Sequence, residues 1–115
     1  MIETDIFNTL RSLVADRCYP LQMPKTPDYP SIVYARVSSN PQNRIEGGAS
    51  LDQVRIQVDC YDLTYADAKN LSALVRAAME AAAFKATLQF DTDLYESEVK
   101  VYRVTMDFYV WQQNT

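Results

Sequence analysis

From Gln53 to Tyr61 the chain alternates without a break. Val54, Ile56, Val58 and Cys60 fall on one parity, and Gln53, Arg55, Gln57, Asp59 and Tyr61 on the other. A period of two belongs to an extended backbone, whose successive side chains point to opposite faces. Residues 51–63 therefore read as an antiparallel strand with one face on a core. The pattern returns at 99–111. There Tyr102, Val104, Met106, Phe108 and Val110 face one way, and Arg103, Thr105, Asp107, Tyr109 and Trp111 the other. A chain of 115 residues has material for one core, so both strands are expected in a single domain, 1–115.

Helical spacing appears twice. Ile2, Ile6, Leu10, Leu13 and Val14 recur at three and four residues, which predicts a helix over 3–17 with Thr4 or Asp5 as its cap. Thr64 and Asp67 resemble a capping box that opens a second helix. Its expected buried stripe is Leu71, Leu74, Val75, Ala78, Met79 and Ala82, and the runs Ala77-Ala78 and Ala81–Ala83 are expected to let it lie close to a sheet. Between the first helix and a strand at 31–37 stand Pro20, Pro24, Pro27 and Pro30, a density that forbids a helix or a central strand and predicts an extended connector. Residues 38–50 hold both glycines, Gly47 and Gly48, in a long polar stretch of a kind that is usually disordered or functional, and it is expected to be mobile in the free subunit. A strand at 86–90 and an acidic turn at 91–98 precede the last strand. The expected fold is α+β, in the order α-β-β-α-β-β: an antiparallel four-stranded sheet with two helices packed on one face.

Composition removes several classes of function. The formal charge is −4, which lacks the basic footprint of a duplex-binding protein. The eight tyrosines are not interleaved with lysine and arginine as a base-stacking groove requires. No apolar run approaches the ~20 residues of a membrane span. The start Met1-Ile2-Glu3-Thr4-Asp5 is acidic where a signal peptide is basic, which predicts a cytoplasmic protein with Cys18 and Cys60 as buried thiols.

The search for chemistry yields little. The chain has no histidine, the commonest general base and a common metal ligand, so neither cysteine has a His partner. Asp91 and Asp93 echo the opening of a calcium loop, but Tyr95 stands at the third ligand position and Glu96 where the glycine belongs. Asp59 and Asp62 have no pattern that would push two carboxyl pKa values apart. Gly47-Gly48 lacks the Lys-Ser/Thr of a phosphate loop. The expectation is a chain with no catalytic, cofactor or metal site. Tyr109 and Trp111 lie on the polar side of the last strand. Either they form a protein–protein contact or a second layer of the same chain, such as the proline-rich connector, covers them.

Taken together the segments resemble the tail-completion proteins of long-tailed bacteriophages, also called tail-terminator or tail-to-head joining proteins. The likeness runs from the helix at Ile2 through Tyr29-Pro-Ser-Ile-Val-Tyr34 and Val54-Arg-Ile-Gln-Val-Asp-Cys-Tyr61. It continues through Thr64-Tyr-Ala-Asp-Ala-Lys69 and Asp93-Leu-Tyr-Glu96 to Tyr102-Arg-Val-Thr-Met-Asp-Phe-Tyr-Val-Trp111. The resemblance implies a structural virion protein of a phage or prophage. It would be a subunit of a homo-oligomeric ring, commonly hexameric, in the virion tail and assembled in the host cytoplasm. Its implied partners are the tail tube protein and the head connector or stopper protein, with DNA passing through the lumen unread. Arg44, Glu46, Arg103, Tyr109 and Trp111 are the candidate assembly contacts, mixing charge with large aromatics as interfaces do. The alternatives are a small α+β module that binds a peptide or small molecule, and a minor enzyme.

Overall fold

The computed structural model describes residues 1–41 and 50–114. It corrects the expected sheet. Five strands, not four, are present: β1 (Cys18–Pro20), β2 (Ser31–Pro41), β3 (Ser50–Asp62), β4 (Thr87–Glu96) and β5 (Val101–Asn114). They stand in the order β1-β2-β3-β5-β4, and the sheet is mixed because β1 runs parallel to β2. Two helices, α1 (Ile2–Leu10) and α2 (Tyr65–Ala81), complete the fold.

The long pair β3·β5 occupies the middle. Its register sets Val54, Ile56, Val58 and Cys60 opposite Val110, Phe108, Met106 and Val104. All eight are buried, and they form the floor of the core. Ile32 and Tyr34 of β2 extend that floor, and Ile2, Ile6 and Leu10 of α1 close part of it from above. Ala68, Leu71, Val75 and Met79 of α2 close the rest.

Four local departures have physical causes. Helix α1 stops at Leu10 and tightens into a 3₁₀ turn over Arg11–Val14. Ala15 and Asp16 then take left-handed backbone angles, φ 51° and 68°, and Arg11 Nε donates to Asp16 Oδ1 at 2.8 Å across the turn. The helix begins one turn earlier than its expected caps, with Met1 at the cap position and Glu3 and Asp5 inside the first turn, where their charge suits the helix dipole. Strand β1 was hidden by its length of three residues and by Pro20, which is tolerated because β1 is an edge. The expected acidic turn at 91–98 is mostly strand. β4 runs to Glu96, and the chain reverses over residues 97–100.

Helix α2 is capped as expected: Thr64 Oγ1 accepts from the Asp67 amide at 3.2 Å. Leu71, Val75 and Met79 of its expected stripe are buried and Ala78 packs against the core, but Leu74 is not part of it. Leu74 is 54% exposed, Ala77 and Ala81 face out, and Ala68 and Ser72 are the small residues that meet the sheet. Residues 38–41 and 50 of the expected loop belong to strands β2 and β3, and the remainder lies outside the described residues. Both thiols are buried and unbonded. Burial pushes Cys18 up to about 12 and raises Cys60 as well.

These positions separate two leucine-sized truncations. Ile56→Ala opens a void at the β3·β5·α2 junction and is expected to cost about 2–5 kcal/mol. Leu74→Ala is expected to stay within about 0.5 kcal/mol of the parent. Urea denaturation of both variants checks this, and a large loss at Leu74 would show that its exposed position is wrong.

Candidate assembly surface

The helix-free side of the sheet carries the polar parity of β3 and β5. Register places Arg55 opposite Tyr109, Gln57 opposite Asp107, Asp59 opposite Thr105 and Tyr61 opposite Arg103. Ion pairs then run across these rungs. Arg55 Nη2 donates to Asp107 Oδ2 at 2.7 Å. Arg103 is bound twice, Nη1 to Glu96 Oε1 at 2.9 Å and Nη2 to Asp59 Oδ2 at 3.0 Å. Gln57 Nε2 reaches both oxygens of Asp59, at 3.3 and 3.2 Å. The Arg103 guanidinium also lies over the Tyr61 ring, 5.6 Å from its centroid.

This arrangement buries charge on a face that no helix covers. Asp59 and Asp107 are only 6% and 4% exposed, shielded by the long side chains beside them. Burial works against the Arg103 charge, but the Glu96 hydrogen bond and the Asp59 charge outweigh it and leave the guanidinium pKa raised. The Asp107 hydrogen bond does the same for Arg55. Asp59 is bound by arginine and glutamine and Asp107 Oδ2 by arginine, while Asp107 Oδ1 is buried without a partner. These bonds form a cross-strand clamp, which is a structural use of charge.

On the helix side, Asp93 of β4 accepts from Tyr65 Oη at 2.6 Å and from Lys69 Nζ at 3.1 Å. These two bonds, the tyrosine's first, hold its carboxyl below the usual range. Tyr102 packs between Tyr65 and Tyr95, with ring centroids 5.7 and 4.8 Å away, so the same corner is pinned by aromatic contact.

The candidate contacts separate in space. Arg103 belongs to the clamp, and Tyr109 is half-buried beside Arg55. Trp111 is 43% exposed and borders a groove of about 780 Å³ together with Met1, Ile2, Asp5, Ala78 and Phe84, at the start of α1 and the end of α2. Arg44 and Glu46 lie outside the described residues. The proline-rich connector lies at the far end of the sheet, where Met23, Pro24 and Tyr29 share a second groove with Tyr61 and Arg103. Exposed Leu94 and Tyr95 were not found by sequence reasoning, because residues 91–98 read as a turn, and exposed Phe90 stood at the end of the expected strand at 86–90 without being singled out. The signal available was the alternation of Asp91 and Asp93 with Phe90, Thr92 and Leu94.

A sheet roofed on one side, clamped by ion pairs on the other and rimmed by exposed aromatics presents surfaces to other proteins. Comparison with known proteins gives the class a family. The family described as Tail completion protein gp17 matches residues 8–113, and the chain belongs to it. It is a structural protein of phage tails. A search of curated proteins found no match. The fold is similar to that of a chain in the virion of a native gene transfer agent (GTA) particle, with a TM-score of 0.68 and 14% identity, over 98% of this chain and 95% of that one.

Two substitutions test the electrostatics. Arg55→Ala leaves Asp107 buried without its cation and is expected to lower the melting temperature more than Asp93→Asn does. Asp93→Asn removes a part-exposed pair and is expected to cost about 0.5 kcal/mol at neutral pH. Because the folded pKa of Asp93 is depressed, its contribution is present above the unfolded value of about 4 and is lost as pH falls through the folded value. The gap between parent and Asp93→Asn in thermal melts should therefore close towards pH 3. A gap that widens in acid would contradict the assignment.

Proposed function

We propose that this chain, as a single domain 1–115, is a ring-forming tail-completion subunit. It caps the head-proximal end of the phage tail tube and joins that end to the head connector or stopper. The observation that carries this reading is the family match over residues 8–113. The exposed aromatics and the separated candidate contacts support it. A closed ring needs two unlike patches on each copy, and further surfaces must meet the tube and the head. The net charge of −4 suits a ring through which DNA passes without being held. Under this reading the ring is a hexamer, the site of action is the virion tail, and assembly takes place in the host cytoplasm. Trp111 and Tyr109 contribute energy to assembly, with Arg103 ordering the face beside them.

The test is complementation. The double variant Tyr109→Ala/Trp111→Ala is expected to keep its circular dichroism spectrum and to fail to restore infectivity to particles lacking the native chain. Electron microscopy should then show tails detached from heads or tubes of irregular length. A folded double variant that restores full infectivity would remove these aromatics from the assembly surface.

A further inference from the structure

The strand order leaves two sheet edges unequally protected. At one end, β4 presents ten residues, Thr87–Glu96, with no strand beyond them among the described residues. All but Leu88 and Glu96 are exposed. Natural edges are usually blunted by lysine, by proline or by a bulge that twists them away. β4 has neither lysine nor proline, and its one irregularity, between Leu88 and Phe90, lies near its start. From Phe90 to Glu96 the register is regular and the outer backbone groups face away from the sheet.

At the other end, β1 covers only Ile32, Val33 and Tyr34 of β2. β2 continues to Pro41, so its outer side from Ala35 onward has no strand neighbour among the described residues. The connector is steered off this edge by a tight turn. The Leu21 amide donates to the Tyr34 carbonyl and the Gln22 amide to the Pro20 carbonyl, at 2.9 and 2.8 Å. Leu21 between them has φ 69°, a left-handed value that is costly for a leucine, and its side chain is 75% exposed. A strained turn that ends β1 after three residues leaves β2 from Ala35 open to another strand, with a register shift against β3 between Arg36 and Ser38.

The two edges are complementary. β4 carries Asp91, Asp93 and Glu96 and no basic residue, whereas the first open residues of β2 include exposed Arg36 and no acid. The faces also agree. Arg36 is in register with Ile56, and Asp91 with Met106, so both lie on the helix side of the sheet. Laying β4 of one copy beside β2 of the next would continue the sheet, keep the helices of both copies on one side and bring Asp91 towards Arg36.

We infer that neighbouring copies of this chain join edge to edge, with the outer side of β4 pairing with the outer side of β2 beyond Tyr34. The occupant of each edge is a second copy. Main-chain hydrogen bonds supply the contact, and the acidic and basic edges set its polarity. The contact joins two different patches, so repetition must close into a ring or grow into a filament. The inference rests on the ring reading above and specifies the seam of that ring.

Cysteine pairing tests the seam in assembled particles. Arg36→Cys is combined in turn with Phe90→Cys, Asp91→Cys, Thr92→Cys and Leu94→Cys. Each double variant is incorporated into particles and treated with a mild oxidant. A disulfide needs Cα atoms within about 7 Å, so only true neighbours across the seam react. The buried native thiols do not compete, as the parent chain will show. At least one combination should convert the monomer band into a ladder ending at a closed ring, while each single variant stops at a monomer or dimer. If an amine-directed cross-linker yields closed multimers but no cysteine pair yields a ladder, edge pairing is overturned and the ring stands. If neither reagent yields multimers in particles, the ring reading falls and the seam with it.

Discussion

The pairing of β3 with β5 is the constraint from which the rest follows. Thirteen residues of β3 face partners on β5, and the pair has two chemically opposite sides. One side is apolar from Val54 to Cys60 and from Val104 to Val110 and has to be roofed, so α1 and α2 are drawn onto it. The other is charged and stays unroofed, which is tolerable because Arg55 and Arg103 pair with Asp107 and Asp59 within the sheet itself and Gln57 donates to Asp59. Cross-strand clamps of this kind are worth little when fully wet, but here the carboxylates are nearly buried and their loss would leave charge without a partner. Apolar burial holds the helices to the sheet, and charge pairing lets the opposite face remain bare.

How much of this was legible depended on whether a segment's environment was two-sided. β3 and β5 have one buried and one open face, so their alternation revealed them and set the inward residues correctly. α2 was legible at its start, where Thr64 caps it, but the choice of buried stripe was off at Leu74. Apolar residues there are frequent enough to support more than one stripe, and only packing against β3 decided between them. β4 was read only as far as Phe90 because an edge strand can be exposed on both faces. Its acids serve the edge and the Tyr65–Lys69 corner, and carry no periodic core signal. β1 was invisible for the opposite reason: three residues are too few for any period. Of the candidate contacts, the sequence placed Arg103, Tyr109 and Trp111 on one parity. It had no means of seeing that Trp111 sits at the rim of a groove beside both helices, since that proximity comes from tertiary packing.

The exposed residues cluster at boundaries of the fold. Phe90 and Leu94 lie on the outer strand, Leu21 on the turn after β1, and Trp111 where β5 passes the helix ends. The buried ion pairs lie between them. Charge kept in the middle and apolar groups left at the rims is the division that the assembly proposed above would use.

The clamp also bears on how the chain is made. Its two principal links, Asp59–Arg103 and Arg55–Asp107, join residues 44 and 52 positions apart. During synthesis β3 leaves the ribosome well before the strand that completes both of its faces. For that interval its apolar row lacks β5 and its carboxylates lack Arg103. Contacts of such long reach slow folding, because the intervening loop must be closed before they form. The nascent chain is therefore exposed to misassociation at the stretch that later becomes the centre of the sheet, and the rate at which residues 101–111 are delivered sets how long that exposure lasts.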